Sequence, residues 1–209
     1  MKNVREEALV WIRLCGFVVI WVAVLYVSGV QLSINWEAVK KLPETVTIYV
    51  IVSFVFTTWL WRLPLLQGWL VPLPDLEGTW AGTLQSTWKD PSTDQVKPPI
   101  PILLVIKQSF SAVSCVMYSK ESTSYSNAAQ LSKDDESGTI LLSYNYTNRP
   151  DATARHRSEI HDGAAILSWI REPVRVLKGN YWSSRKTTGD MQVIFKSRKL
   201  EGGFPPDAI

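Results

Sequence analysis

Cysteine and histidine are scarce in this 209-residue chain, with two of each. Cys15 falls in an apolar run and Cys115 in a run with strand periodicity, so the pair builds neither a disulfide framework nor a metal cluster. That scarcity favours a cytosolic location for the polar part of the chain. The usual motifs of hydrolases and transferases are also missing. No glycine-rich loop leads into Lys-Ser/Thr, and there is no G-x-S-x-G elbow and no H-E-x-x-H pair. His161-Asp162-Gly163 reads as a hairpin turn, and a His–Asp pair there has no nucleophile to serve. A binding protein is therefore expected rather than an enzyme, with no metal and no cofactor. The net charge of +3 is too small to argue for binding DNA or RNA polymers.

Arginine is missing from one stretch and concentrated in the next. Residues 76–144 hold five Lys, seven acidic residues and no Arg, whereas residues 145–200 hold seven Arg, four Lys and five acidic residues. Guanidinium groups suit bidentate recognition of phosphate or carboxylate, so an anionic ligand is expected to be read by the second half. A solvated surface with chance clustering is the plainer alternative.

Charge of either sign is absent from two long runs, 14–32 and 45–61. Each is long enough to cross a hydrocarbon core as a helix, and the pair predicts a transmembrane hairpin over 1–62. Trp36, Trp59, Trp61 and Trp69 fit interfacial anchoring, and Lys2, Arg5, Arg13 and Arg62 mark the side holding both ends as cytoplasmic. The expected arrangement is thus a multi-pass membrane protein with N- and C-termini cytoplasmic. Residues 63–75, with Pro64, Pro72 and Pro74, read as a short semi-rigid connector. The tail, 201–209, reads as disordered.

From residue 76 onward no helix pattern is found. Strand-like runs recur at 78–87, 100–109, 112–119, 123–131, 139–147, 157–160 with 164–169, 174–184 and 190–197. Such spacing predicts an antiparallel sandwich or a closed up-and-down barrel over 76–200. Read with period two, Tyr181, Ser183 and Arg185 share one face of a strand, and Val174, Val176 and Trp182 the other. Tyr144 and Tyr146 share a face with Ile140 and Leu142, and Ser122, Ser124 and Ser126 form a hydroxyl row. An aromatic ring, hydroxyls and a guanidinium on one face suit a stacked base and a phosphate. A wet outer face with a snorkelling Arg is the competing reading.

Several motifs in order carry a resemblance. They are Gly78-Thr79-Trp80, Ser122-x-Ser124-x-Ser126, Tyr144-x-Tyr146-x-Asn148-x-Pro150, His161-x-Gly163, and Leu177-x-Gly179-x-Tyr181 running into Arg185-x-Thr187-x-Gly189. This set resembles the effectors of bacterial cyclic-oligonucleotide antiphage signalling (CBASS) that join two transmembrane helices to a β-strand-rich sensor. Ser183 stands where that family would carry Thr, which keeps a hydroxyl in place. The resemblance implies a small antiparallel eight-stranded up-and-down β-barrel of lipocalin-like topology. Its ligand would be a cyclic dinucleotide made by a partner nucleotidyltransferase. Binding would drive homo-oligomerisation, disruption of the inner membrane and abortive infection. In that setting Tyr181 or Tyr144 would stack a base, Arg185 would take a phosphate, and Ser124, Ser126, Asn148 and Thr187 would supply hydrogen bonds. Two other readings stay open. One is a membrane-tethered barrel for a lipid, lined by Ile102, Leu104 and Ile106; the other is a scaffold that recruits a protein.

Overall fold

A computed structural model describes residues 6–33, 35–68, 70–89, 93–134, 136–171 and 173–205. Lys2, Arg5 and Trp69, and the last four residues of the tail, lie outside the described residues. The chain divides into two units, Met1–Val71 and Pro72–Ile209.

The first unit is helical: α1 (Glu6–Val27), α2 (Trp36–Lys40) and α3 (Leu42–Thr58). Asn35 caps α2, its side-chain oxygen accepting from the Ala38 N–H at 2.8 Å. Helices α1 and α3 meet through Phe17 and Tyr49, edge to face at 5.6 Å between centroids. Here the structure corrects the sequence reading. The charge-free runs and the helices do not coincide. Helix α1 starts upstream of the first run and stops at Val27, before Gly29 at φ 68°. Only 14–27 of that run is helical, about 21 Å against a hydrocarbon core of about 30 Å. Helix α3 has 17 residues, carries Glu44 in its first turn, and gives way at Trp59 to a 3-10 turn, Leu60–Arg62. Among the described residues no helix is long and apolar enough to cross a membrane. The two spans expected at 14–32 and 45–61, and the multi-pass inner-membrane placement built on them, are overturned.

The second unit is a closed antiparallel barrel of eight strands, each paired with its sequence neighbours. In chain order they are β1 (Gly78–Ser86), β2 (Ile100–Gln108), β3 (Val113–Ser119), β4 (Ser122–Lys133), β5 (Ile140–Pro150), β6 (His161–Ile170), β7 (Val176–Ser183) and β8 (Thr188–Ser197). Closure comes from β1 pairing with β8, from Thr79↔Ser197 to Ser86↔Gly189. Alternation then sends one set of side chains inward. Two expectations shift. Residues 157–160 are not strand, and Asp162-Gly163 lies inside β6, paired with Thr147 and Tyr146, rather than in a hairpin turn. A turn signal yields here because both neighbouring strands supply partners for that backbone.

The interior has two unlike ends. At one end Leu76, Trp80, Leu131, Ile140, Trp169 and Phe195 pack into the apolar core. The segment before β1 closes it. The Gln108 side chain accepts from the Leu76 N–H (2.8 Å) and donates to the Pro74 carbonyl (3.0 Å). Arg175 lies over Phe195, 4.0 Å from its ring centre, and donates to the Asp75 carbonyl (2.8 Å). The other end of the barrel is polar.

Candidate functional site

The register brings the polar end together. Ser124 pairs with Asn148, and Asn148 with His161; Tyr146 pairs with Gly163, and Gly163 with Ser183; Tyr181 and Ser86 both pair with Gly189. These residues come from β1 and β4 to β8, at the ends joined by the 120–121, 151–160 and 184–187 connections. Ser86, Ser124, Tyr146, Asn148, Tyr181 and Ser183 are all buried. Ser124 Oγ donates to Asn148 Oδ1 at 2.9 Å, and the Ser183 and Thr187 hydroxyls meet at 2.6 Å.

Two glycines seat the tyrosines. A Cβ at Gly163 would fall 2.5 Å from the Tyr146 Cζ and Oη, and one at Gly189 would fall 2.6 Å from Tyr181 Cε1. Each ring therefore lies against bare backbone, which only glycine permits. A bulge in β4 between Ser126 and Ala128 shifts the register beside this layer.

Of the residues expected in the site, Tyr181, Asn148, Ser124 and Thr187 meet at this polar end, and Arg185 stands on its rim. Arg185 is exposed in the β7–β8 turn, donating from Nη1 to Ser158 Oγ (2.8 Å) and from Nη2 to the Arg157 carbonyl (3.5 Å). It does not share a strand face with Tyr181, because β7 ends at Ser183 and Lys186 takes φ 58°. Tyr144 lies deeper, its phenol donating to Met191 Sδ at 3.8 Å. Ser126 accepts from the Cys115 N–H at 2.9 Å, filling in for the β3–β4 ladder, whose pairing stops at Val116↔Tyr125. Sequence reasoning left out Ser86, Tyr146 and Arg157. Ser86 follows from counting inward in twos from Trp80. Tyr146 stands two residues from Tyr144 on the same face.

Burial tunes these groups toward the neutral form. Desolvation raises the phenols of Tyr144, Tyr146 and Tyr181; Tyr181 also raises Tyr146, while a hydrogen bond from Ser86 pulls Tyr181 partly back. Neutral phenols donate hydrogen bonds and present stacking faces, but they are poor nucleophiles at neutral pH. Burial also pushes the Cys115 thiol up to about 12. In the unfolded chain that thiol ionises near pH 9, so between about pH 9 and 12 the unfolded state has given up a proton that the folded state keeps. Stability is fully present below that window and falls as pH rises through it, and the tyrosines add to the loss above about pH 10. The barrel's melting temperature is expected to hold up to about pH 9 and then fall steeply, as a pH series of thermal melts would record. Cys115 is also expected to resist a thiol-specific chromogenic reagent at pH 8 until denaturant is added, whereas exposed Cys15 reacts at once.

Residues 71–194 match the family described as Cap15, cyclic dinucleotide receptor domain. The chain belongs to that family. The Cap15 match covers every strand from β1 to β7 and most of β8, including the whole polar end. CD-NTase-associated protein 15 of Staphylococcus schleiferi is a relative, 25% identical over 184 residues, which cover 87% of this chain and 93% of that one. The likeness to that Cap15 protein thus extends into the helical unit as well as the barrel.

Proposed function

We propose that the barrel is a receptor for a cyclic dinucleotide, which it takes at the polar end. The observation that carries this reading is the pair of tyrosines seated on glycines beneath a rim that bears arginine. A cyclic dinucleotide presents two flat bases and two phosphodiesters. Stacking faces and guanidinium donors are the groups that such a ligand needs. Tyr181 and Tyr146 supply the faces, Ser86, Ser124, Asn148, Ser183 and Thr187 the hydrogen bonds, and Arg185 a phosphate contact. The family match and the relative's name support the ligand class. They also support a source for it, a partner nucleotidyltransferase of an antiphage system. On this reading the chain is the effector of that system, it binds rather than transforms its ligand, and occupancy drives self-association.

An apolar ligand is disfavoured by the packing. Trp80, Leu104, Leu142, Leu167, Leu177 and Val193 fill the apolar half, each under 2 % exposed. Calorimetric titration of the full chain tests the proposal, using cyclic di-AMP, cyclic di-GMP, cyclic di-UMP and the mixed UMP–AMP ring, with a long-chain fatty acid as comparator. Micromolar or tighter binding of one ring is expected, unaffected by the fatty acid and weakened about 10-fold or more in Tyr181→Ala, which removes a stacking face. Binding of the fatty acid alone, or of nothing, would overturn it. Light scattering with and without the bound ring checks the self-association.

A further inference from the structure

We propose that Arg157 is a second phosphate-binding residue, held by Glu121 until ligand arrives. This rests on the receptor reading above and adds the device that controls its polar end.

Arg157 lies in the connection between β5 and β6, and Glu121 in the tight turn between β3 and β4. Arg157 Nη2 and Glu121 Oε1 meet at 2.5 Å, with side chains 46% and 57% exposed. The same connection is fastened on both sides. The Asp151 N–H donates to the Glu121 carbonyl at 2.8 Å, and Arg185 donates to Ser158 Oγ and to the Arg157 carbonyl. Arg157 and Arg185 are therefore neighbours on the rim, at the end of the barrel that holds the buried Ser124–Asn148 pair and the two tyrosines.

A cyclic dinucleotide carries two phosphodiester anions, and Arg157 and Arg185 offer it two guanidinium groups, the first of which Glu121 neutralises in the ligand-free protein, while Arg155, in the same connection, donates from Nε to the Pro150 carbonyl. A phosphodiester can take the guanidinium fork with two parallel hydrogen bonds, as a carboxylate can, so it competes with Glu121 for the same donors. The exchange is cheap, because an exposed ion pair contributes little and the freed carboxylate returns to water. Glu121 remains ionised at neutral pH. Its hydrogen bond from Arg157 holds its carboxyl below the usual range, with Lys97 and Lys120 adding to the effect. The competition therefore stays in force under cellular conditions. Glu121 raises the threshold for binding, and Arg157 supplies contact once the threshold is passed.

The test measures equilibrium affinity and association rate for whichever cyclic dinucleotide binds the full chain, in Arg157→Ala, Glu121→Gln, the double variant and Arg185→Ala. Arg157→Ala is expected to weaken binding about 10–100-fold. Glu121→Gln is expected to tighten it about 3- to 10-fold, with a faster association rate that depends more steeply on salt. That gain should vanish in the double variant, because Glu121 acts by occupying Arg157. Thermal melts should move little in any of these variants, since the pair is exposed. Wild-type affinity in Arg157→Ala, or unchanged or weaker binding in Glu121→Gln, would overturn the inference. A continued requirement for Arg185 would still uphold the receptor reading. If the wild-type chain binds none of the rings, both fall together.

Discussion

Replacing Trp80 with alanine is expected to lower the melting temperature of the barrel by roughly 10–25 °C, a large effect for a single site. Its side chain is fully buried. The indole N–H donates to the Leu76 carbonyl at 3.0 Å, the ring meets Phe195 edge to face at 5.3 Å, and Arg175 lies 5.3 Å from its centre. Truncation removes the apolar volume, leaves the Leu76 carbonyl without its donor, and takes one aromatic face from a half-buried guanidinium. Loss of a core tryptophan costs about 3–5 kcal/mol. At about 3–5 °C per kcal/mol for a unit of this size, that gives the range above. Trp80→Phe keeps most of the volume and loses the hydrogen bond, and about a third of the effect is expected. Differential scanning calorimetry separates the two variants. A drop below about 5 °C for the alanine variant would mean that the segment before β1 closes the apolar end without this anchor.

Arg185→Ala is expected to lose about 10–100-fold in affinity for the cyclic dinucleotide with a melting temperature within about 2 °C of wild type. A hydrogen bond between a charged donor and phosphate contributes about 1.5–3 kcal/mol, which corresponds to that range. The small thermal effect follows from its surroundings: the side chain is exposed, and its partners, Ser158 Oγ and the Arg157 carbonyl, can turn to water. Arg185→Lys keeps the charge but loses the planar fork, and is expected to recover only part of the affinity. Titration calorimetry beside thermal melts distinguishes this outcome from a merely unfolded protein. Unchanged affinity in Arg185→Ala would remove the phosphate contact from this turn.

The barrel was legible because its strands alternate. Inward positions such as Ile102, Leu104 and Ile106, or Ile140, Leu142, Tyr144 and Tyr146, are set by period two, and the observed inner wall follows that count. Closure was not legible from the pattern, since a sandwich alternates in the same way; the pairing of β1 with β8 separates them. The face shared by Tyr181, Ser183 and Arg185 failed at its last member, because a turn after Ser183 breaks the alternation. The hydroxyl row keeps its register through Ser126, which pairs with Tyr146 while its Oγ accepts from the Cys115 N–H, and the shift comes just after it. A bulge changes the register without leaving a local signature. Arg157 was hidden by a strand reading of 157–160, where the structure has an irregular connection. The N-terminal unit failed on length. Counting uncharged residues says nothing of where a helix stops, and Val27 and Thr58 stop these helices early.

The pairing of the first strand with the last also sets when a newly made chain can respond. Thr79 Oγ1 donates to the Lys199 carbonyl, 120 residues away, and the Glu201 N–H donates back to Thr79. The polar end needs Ser86 from β1 together with Tyr181 and Gly189 from the last two strands. A nascent polypeptide therefore lacks this end until β8 has left the ribosome, and contacts so distant in sequence form slowly. Fragments that stop short of β8 lack Gly189 and the closing pairing with β1, and with them the polar end on which the proposed reading rests.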